Sequence, residues 1–316
     1  MKKYALLTAA AAILALTACN SNEAPTANGP LEIKLKSGLV TQTRAAHGLD
    51  TQLAAGEAVH VWIDDAGNAE NLYADCALTA DAGGNLSGAP MYFPSTGNAV
   101  DIYAVHGTFA TTDLPEFWTT AAVHTVASNQ LSTGGGYAAS DLVYCKTTGV
   151  ARTSSAVCLE FKHLLSKLEV VLVSGAGAPS IAKVEVLNTR LQASFTPDKA
   201  ADNITVAATG ATGENPIEID NGVTAKSYAD QTDSDEGKVL NEAVIVPQSL
   251  GSGTPFIRVT TTEGGVLVYA LDKATTFEPA KKYRYTITAN LTGLTVSSTI
   301  SAWGATPAET GEATMD

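Results

Sequence analysis

Seven short runs dense in valine, isoleucine, threonine and tyrosine constrain this chain more than any other feature. They are "AVHVWID" (58–64), "AVDIYAVHG" (99–107), "KLEVVLVSG" (167–175), "AKVEVLNT" (182–189), "AVIVPQS" (243–249), "PFIRVTT" (255–261) and "YRYTITANL" (283–291). Many alternate apolar with polar residues, and clusters of Gly, Asn, Asp or Pro separate them. That pattern is what half-buried antiparallel strands require. Helical periodicity is scarce, with "DLPEFWTTAAVH" (113–124) and "FKHLLSKL" (161–168) offering one to three turns at most. "STGGGYAAS" (132–140) and the acidic "ADQTDSDEGK" (229–238) read as loops. An all-β fold of two sandwiches in tandem is expected.

The ends of the chain bear on its destination. "MKKYALLTAAAAILALTAC" starts with Lys2 and Lys3, runs through small and aliphatic residues, and ends in Leu16-Thr17-Ala18-Cys19. Its apolar run is shorter than the ~20 residues of a membrane-spanning helix and fits a secretory signal. Leu-Thr-Ala-Cys has the form of a lipobox, in which the signal peptide (1–18) is removed and Cys19 is acylated, as with palmitate. The polar "NSNEAPTANGP" that follows reads as a flexible tether. A lipoprotein held in the outer membrane is the expectation, since each buried methylene contributes about 0.8 kcal/mol of anchoring.

Composition excludes some functions. The chain carries a net charge of −13, and its first 44 residues hold five basic and two acidic side chains, so the remainder is more acidic still. Such a surface repels phosphates, and no basic stripe with interleaved aromatics occurs, so no nucleic acid partner is expected. The histidines (His47, His60, His106, His124, His163) show no HExxH or other ligand spacing, and His163 reads as a buried packing residue. There is no G-x-S-x-G elbow, and "STGGGY" is neither a P-loop nor a dinucleotide fingerprint. "DSDEG" (233–237) lacks the far ligand of a calcium loop. No enzyme, catalytic residue, cofactor or metal site is expected. Beyond Cys19, Cys76, Cys145 and Cys158 form no zinc or redox spacing; they read as small buried residues, with a single disulfide as the other reading.

Four stretches carry a resemblance. "MYFPSTGNAVDIYAVHG", "FKHLLSKLEVVLV", "VIVPQSL" and "FEPAKKYRYTITANLTGLTVSSTISAW", together with the lipobox and the Thr-Arg-Ala segment, resemble the fimbrillin family of lipoprotein pilins and accessory subunits of type V pili. The resemblance implies two transthyretin-like β-sandwich domains with antiparallel Greek-key sheets, spanning 45–162 and 163–316. It also implies that an arginine-specific protease removes the N-terminal strand, and Arg44, followed by Ala45, matches the position of that cut. The emptied groove then takes a strand from another fimbrial subunit.

The residues around these positions suit the scheme. Thr41, Gln42, Thr43, Ala45 and Ala46 are small or polar, as a cleavable segment needs. In 19–44, which joins the tether to this strand, Leu31, Ile33 and Leu35 alternate with Glu32, Lys34 and Lys36. The segment is either a permanent first strand or a removable one. Residues 294–316 are either a last core strand with an acidic tail or a donated strand whose plugs are Val296, Ile300 and Trp303. Two functions follow: a polymerising fimbrial subunit at the cell surface, or a monomeric surface or tip lipoprotein that binds host protein or glycan. In the second, Trp118 or Tyr137 would stack on a sugar.

Overall fold

The computed structural model describes residues 29–39, 53–109, 122–131, 134–195, 198–200, 204–220, 241–290, 293–303 and 311–313. Among them the chain is strand and turn, with one single-turn helix, α1 (Gly136–Ala139). The expected all-β class is observed.

Seven strands close a barrel. Their order around it is β1 (Leu35–Leu39), β4 (Asn85–Gly88), β3 (Asn71–Ala80), β2 (Ala58–Asp65), β5 (Val100–His106), β7 (Val143–Val150) and β8 (Val157–His163). Alternation decides which side chains enter: Val59, Val61 and Ile63, then Val100, Ile102 and Ala104, then Leu159 and Phe161, fill the interior. The outer faces of β2, β5 and β7 are not solvated either. Trp62, Tyr103, Val105 and Tyr144 belong to a second apolar cluster. Strands covered on both sides read as nearly continuous apolar runs, which is why "VWI" and "IYAV" break the alternation.

The second cluster begins with a three-stranded sheet, β12 (Val206–Thr209), β11 (Gln192–Phe195) and β6 (Ala122–Thr125). Phe195 of this sheet meets Phe109 with ring centres 5.4 Å apart. The cluster continues between two larger sheets. One is ordered β14 (Asn241–Ile245), β9 (Ser166–Ser174), β19 (Lys281–Asn290), β20 (Gly293–Ala302), β21 (Gly311–Ala313); the other is β13 (Ile217–Asp220), β10 (Ile181–Val186), β16 (Pro255–Thr261), β17 (Val266–Ala270). Leu168, Val170, Leu172 and Ile287 from the first share one core with Val184, Val186, Ile257 and Val259 from the second. A short pair, β15 (Gln248–Leu250) and β18 (Thr275–Phe277), adds Phe277 to that core, stacked on Phe256 at 5.2 Å.

Charge is buried on the other face of the five-stranded sheet. Glu169 accepts from Arg284 Nε at 2.8 Å and lies 3.4 Å from Lys282 Nζ, while Lys167 Nζ meets Glu242 at 2.9 Å. Lys167 and Glu169 are both fully covered. Each charge there depends on its opposite, because an unpaired ion in that position would go undersolvated.

Three expectations need correction. "FKHLLSKL" is no helix: it is the end of β8, a corner at Leu164 and Leu165, and the start of β9. Phe161, Leu164, Leu165 and Leu168 happen to fall at i, i+3, i+4 and i+7, and all are buried because the corner is covered on every side. The sheets are not antiparallel throughout, since β1 runs parallel to β8 and β9 runs parallel to β19. "AVIVPQS" is two strands, broken at Val246 and Pro247, where proline has no N–H for the ladder. Of 113–124, only the part that opens β6 lies within the described residues.

Candidate assembly interface

The N-terminal strand sits in a slot with a partner on each side. Along β8, five consecutive residues of β1 pair in parallel, from Leu35 with Val157 to Leu39 with Phe161. Along β4 the pairing is shorter, Leu35 with Leu86 and Lys36 with Asn85. Before β1, the Ile33 N–H donates to the Met91 carbonyl at 2.7 Å, and the Phe93 N–H to the Leu31 carbonyl at 2.9 Å. At the other end the Ser37 N–H donates to Gly84 O at 2.7 Å, and its hydroxyl donates to the same oxygen at 3.1 Å.

The inward side of this segment is apolar. Ile33, Leu35 and Leu39 are buried in the barrel interior, Ser37 is buried with them, and Leu31 is half-buried; Glu32 and Lys34 stay exposed. The alternation read at Leu31, Ile33 and Leu35 therefore runs on to Leu39. Polar Ser37 hides that continuation in the sequence. Full burial of an Ile or Leu contributes roughly 1.5–3 kcal/mol, so the three together hold the strand by roughly 5–9 kcal/mol. Taking β1 away would bare that trough and the ladder edges of β4 and β8 at once, a state that seeks another strand.

A close approach tightens the β8 side. A Cβ added at Gly38 would stand 3.3 Å from Cys158 Sγ. The glycine thus lets the thiol lie against β1 on the outside of the barrel. No signal in the sequence pointed to this pair, because it joins residues brought together only by the parallel ladder. Cys76 and Cys158 are half-buried and Cys145 is buried, and all three are free thiols. Burial pushes the Cys145 thiol up to about 11.

At the other end of the chain, β20 pairs with β19 over its whole length, from Gly293 opposite Asn290 to Ala302 opposite Lys281. The short β21 covers its outer edge at Val296 to Ser298. Val296 and Trp303 lie in this chain's own core, whereas Ile300 is 56% exposed. Trp303 stacks on His163 with ring centres 3.7 Å apart and planes within 5°, and its backbone N–H donates to Ala280 O at 2.8 Å. His163 is buried and bonded, as read, with Nδ1 2.9 Å from the Asp141 carboxylate. The three plug candidates are therefore not gathered on one free surface.

Cys19, Arg44, Ala45 and Trp118 lie outside the described residues. Tyr137 is not an open platform for a sugar: it is half-buried on α1, packs on the core, and its hydroxyl lies against Glu242. Among the described residues, no group of three or more His, Cys, Asp and Glu side chains is placed to hold a metal ion.

Comparison with known proteins bears on the family and the fold. A family model described as fimbrillin-like matches residues 43–303. A candidate fimbrium subunit of Bacteroides uniformis is 28% identical over 329 residues, covering 99% of this chain and 100% of that one. Among solved structures, a candidate cell adhesion protein from Bacteroides uniformis superposes with a TM-score of 0.59 at 19% identity, covering 87% of this chain and 100% of that one. Another from Bacteroides ovatus gives a TM-score of 0.59 at 17% identity, over 92% of this chain and 100% of that one. At these identities the two structures speak to the fold alone.

Proposed function

The chain belongs to the fimbrillin-like family, and on that premise we propose that it is a structural subunit of a cell-surface fimbria, assembled by strand exchange and supporting adhesion. In this reading the signal peptide 1–18 is removed, Cys19 is acylated, and the protein reaches the outer membrane as a lipoprotein. An arginine-specific protease then cuts between Arg44 and Ala45. β1 leaves its slot, and a strand from another subunit takes its place beside β4 and β8. In this scheme the tandem transthyretin-like units are residues 45–162 and 163–316.

The observation that carries the reading is the slot itself. One strand, joined to the rest of the chain only through the segment that holds Arg44, supplies a wall of the barrel and Ile33, Leu35 and Leu39 of its interior. A single cut there would free a strand whose site still demands a strand. Digestion with an arginine-specific protease, followed by intact mass and size analysis, tests this. Cleavage after Arg44 with growth of denaturant-resistant polymers supports it; a cut product that stays monomeric sinks it.

A second reading draws on the C-terminal strand. Val296 and Trp303 sit in the chain's own core, which favours a subunit that accepts a strand but does not donate this one. A tip or surface lipoprotein that binds a host protein or glycan would behave so. In the same digestion it would yield a cleaved monomer that still captures a C-terminal strand added as a peptide.

A further inference from the structure

Lys167 on β9 and Glu242 on β14 offer a chemistry that strand assembly does not use. In the antiparallel ladder Val244 stands opposite Lys167 and Glu242 opposite Glu169, so Lys167 and Glu242 are diagonal neighbours on one face of adjacent strands. Lys167 Nζ lies 2.9 Å from Glu242 Oε1 and 3.9 Å from Glu169 Oε1. The Lys167 side chain is fully covered, that of Glu169 is 2% exposed and that of Glu242 15%. An amine and a carboxyl are thus held in contact where water scarcely reaches.

The two carboxyls differ in their surroundings. Glu169 shares its charge with two further cations, Arg284 Nε at 2.8 Å and Lys282 Nζ at 3.4 Å. Glu242 has the Tyr137 hydroxyl against it, and burial, joined by the Glu169 charge, pushes its carboxyl up against the opposite pull of Lys167. A buried ion pair is costly, and passing one proton from Lys167 to Glu242 leaves a neutral amine against a neutral acid. Those are the forms that condense, and fixed contact gives such a reaction an effective molarity of about 10⁵–10⁸ M. We propose that Lys167 and Glu242 join in an amide bond, a covalent cross-link between β9 and β14 inside the subunit. Nζ attacks the Glu242 carboxyl carbon and the C–N bond forms. One proton passes from Nζ to the Glu169 carboxylate, which hands it to the leaving hydroxyl. The C–O bond breaks, and one water departs on the side where Glu242 is exposed. The Tyr137 hydroxyl donates to the remaining oxygen as charge gathers there. No oxidant or other reactant is consumed. The bond removes two buried charges and closes β10 to β13 into a covalent loop, which restricts the unfolded chain as other cross-links do.

Tryptic mapping of the full chain, denatured after purification, tests this independently of strand exchange. An acylated Lys167 resists trypsin, so residues 163–183 are expected joined to residues 239–258, lighter than the two peptides together by one water, as the main form. Recovery of 163–167, 168–183 and 239–258 as separate peptides of full mass overturns the proposal. So does a lost water that fragmentation places on other residues. In a Glu169→Gln protein purified in folded form, the joined pair is expected to fall about tenfold or more, as loss of a proton carrier requires. An unchanged yield there would remove Glu169 from the reaction and overturn the proposed step.

Discussion

At the scale of single residues, two side chains make sharp predictions. His124 is buried; the Thr108 N–H donates to its Nδ1 at 2.9 Å, and its Nε2 donates to Ser140 O at 2.9 Å. A proton on Nδ1 would face another N–H donor. Burial is the main cause that holds this imidazole down at about 4, against a weaker opposite pull from Ser140 and Asp141. The unfolded chain therefore binds a proton from about pH 6.5 downward while the folded one does not. This contribution is constant above about pH 6.5 and is lost progressively as pH falls to about 4, for a total of about 3 kcal/mol. Denaturant titrations across that range should show the loss, and His124→Gln should reduce the slope.

Gly38 is the second. A valine there would press its Cβ into Cys158 Sγ, and overpacking of that kind costs about 1–3 kcal/mol. The Gly38→Val protein should lose stability by that amount in denaturant. It should also label faster at Cys158 with a thiol reagent, because a loosened β1 uncovers that sulfur. Cys145, inside the barrel with its thiol pushed up, should stay unlabelled in both proteins. Equal labelling of Cys158 before and after the substitution would remove β1 as its cover.

At the scale of elements, the buried charges on β9 and β19 set the hardest limit on substitution. Glu169 faces Arg284 at 2.8 Å and Lys282 at 3.4 Å, so Glu169→Ala leaves two cations facing each other without their anion. Loss of one partner of a buried pair costs about 3–5 kcal/mol, and the unfolding midpoint should drop accordingly. The strands themselves were legible from alternation and turn residues, and "PFIRVTT" coincides with β16 residue for residue. What alternation could not convey was partnership. The parallel ladder of β1 on β8 joins residues far apart in sequence, and period-2 patterning carries no information on direction. The corner at Leu164 and Leu165 misled for a related reason: residues buried on all sides lose the period that separates strand from helix.

At the scale of the whole molecule, a barrel completed by its first strand and a second body completed by its last are two different kinds of closure. The inward side of β1 was readable at Leu31, Ile33 and Leu35. The burial of Trp303 was not, because the stacked partner that fixes it, His163, comes from another body of the fold. In the proposed assembly β1 is the exchangeable closure, and its departure opens the slot between β4 and β8. Replacing Ile33 and Leu35 by serine should weaken β1 in its slot. The cut variant should then assemble faster than cut wild type, as followed by light scattering. Slower or unchanged assembly would mean that departure of β1 does not limit the process.

The central claim is tested most directly by treating the intact protein and an Arg44→Ala variant with an arginine-specific protease and measuring mass and assembly size together. A single early cut after Arg44 is expected, then polymers that resist denaturant, with neither event in the variant. A protein cut after Arg44 that keeps residues up to 44 bound and remains monomeric, or one that polymerises equally well when Arg44 is alanine, would contradict it.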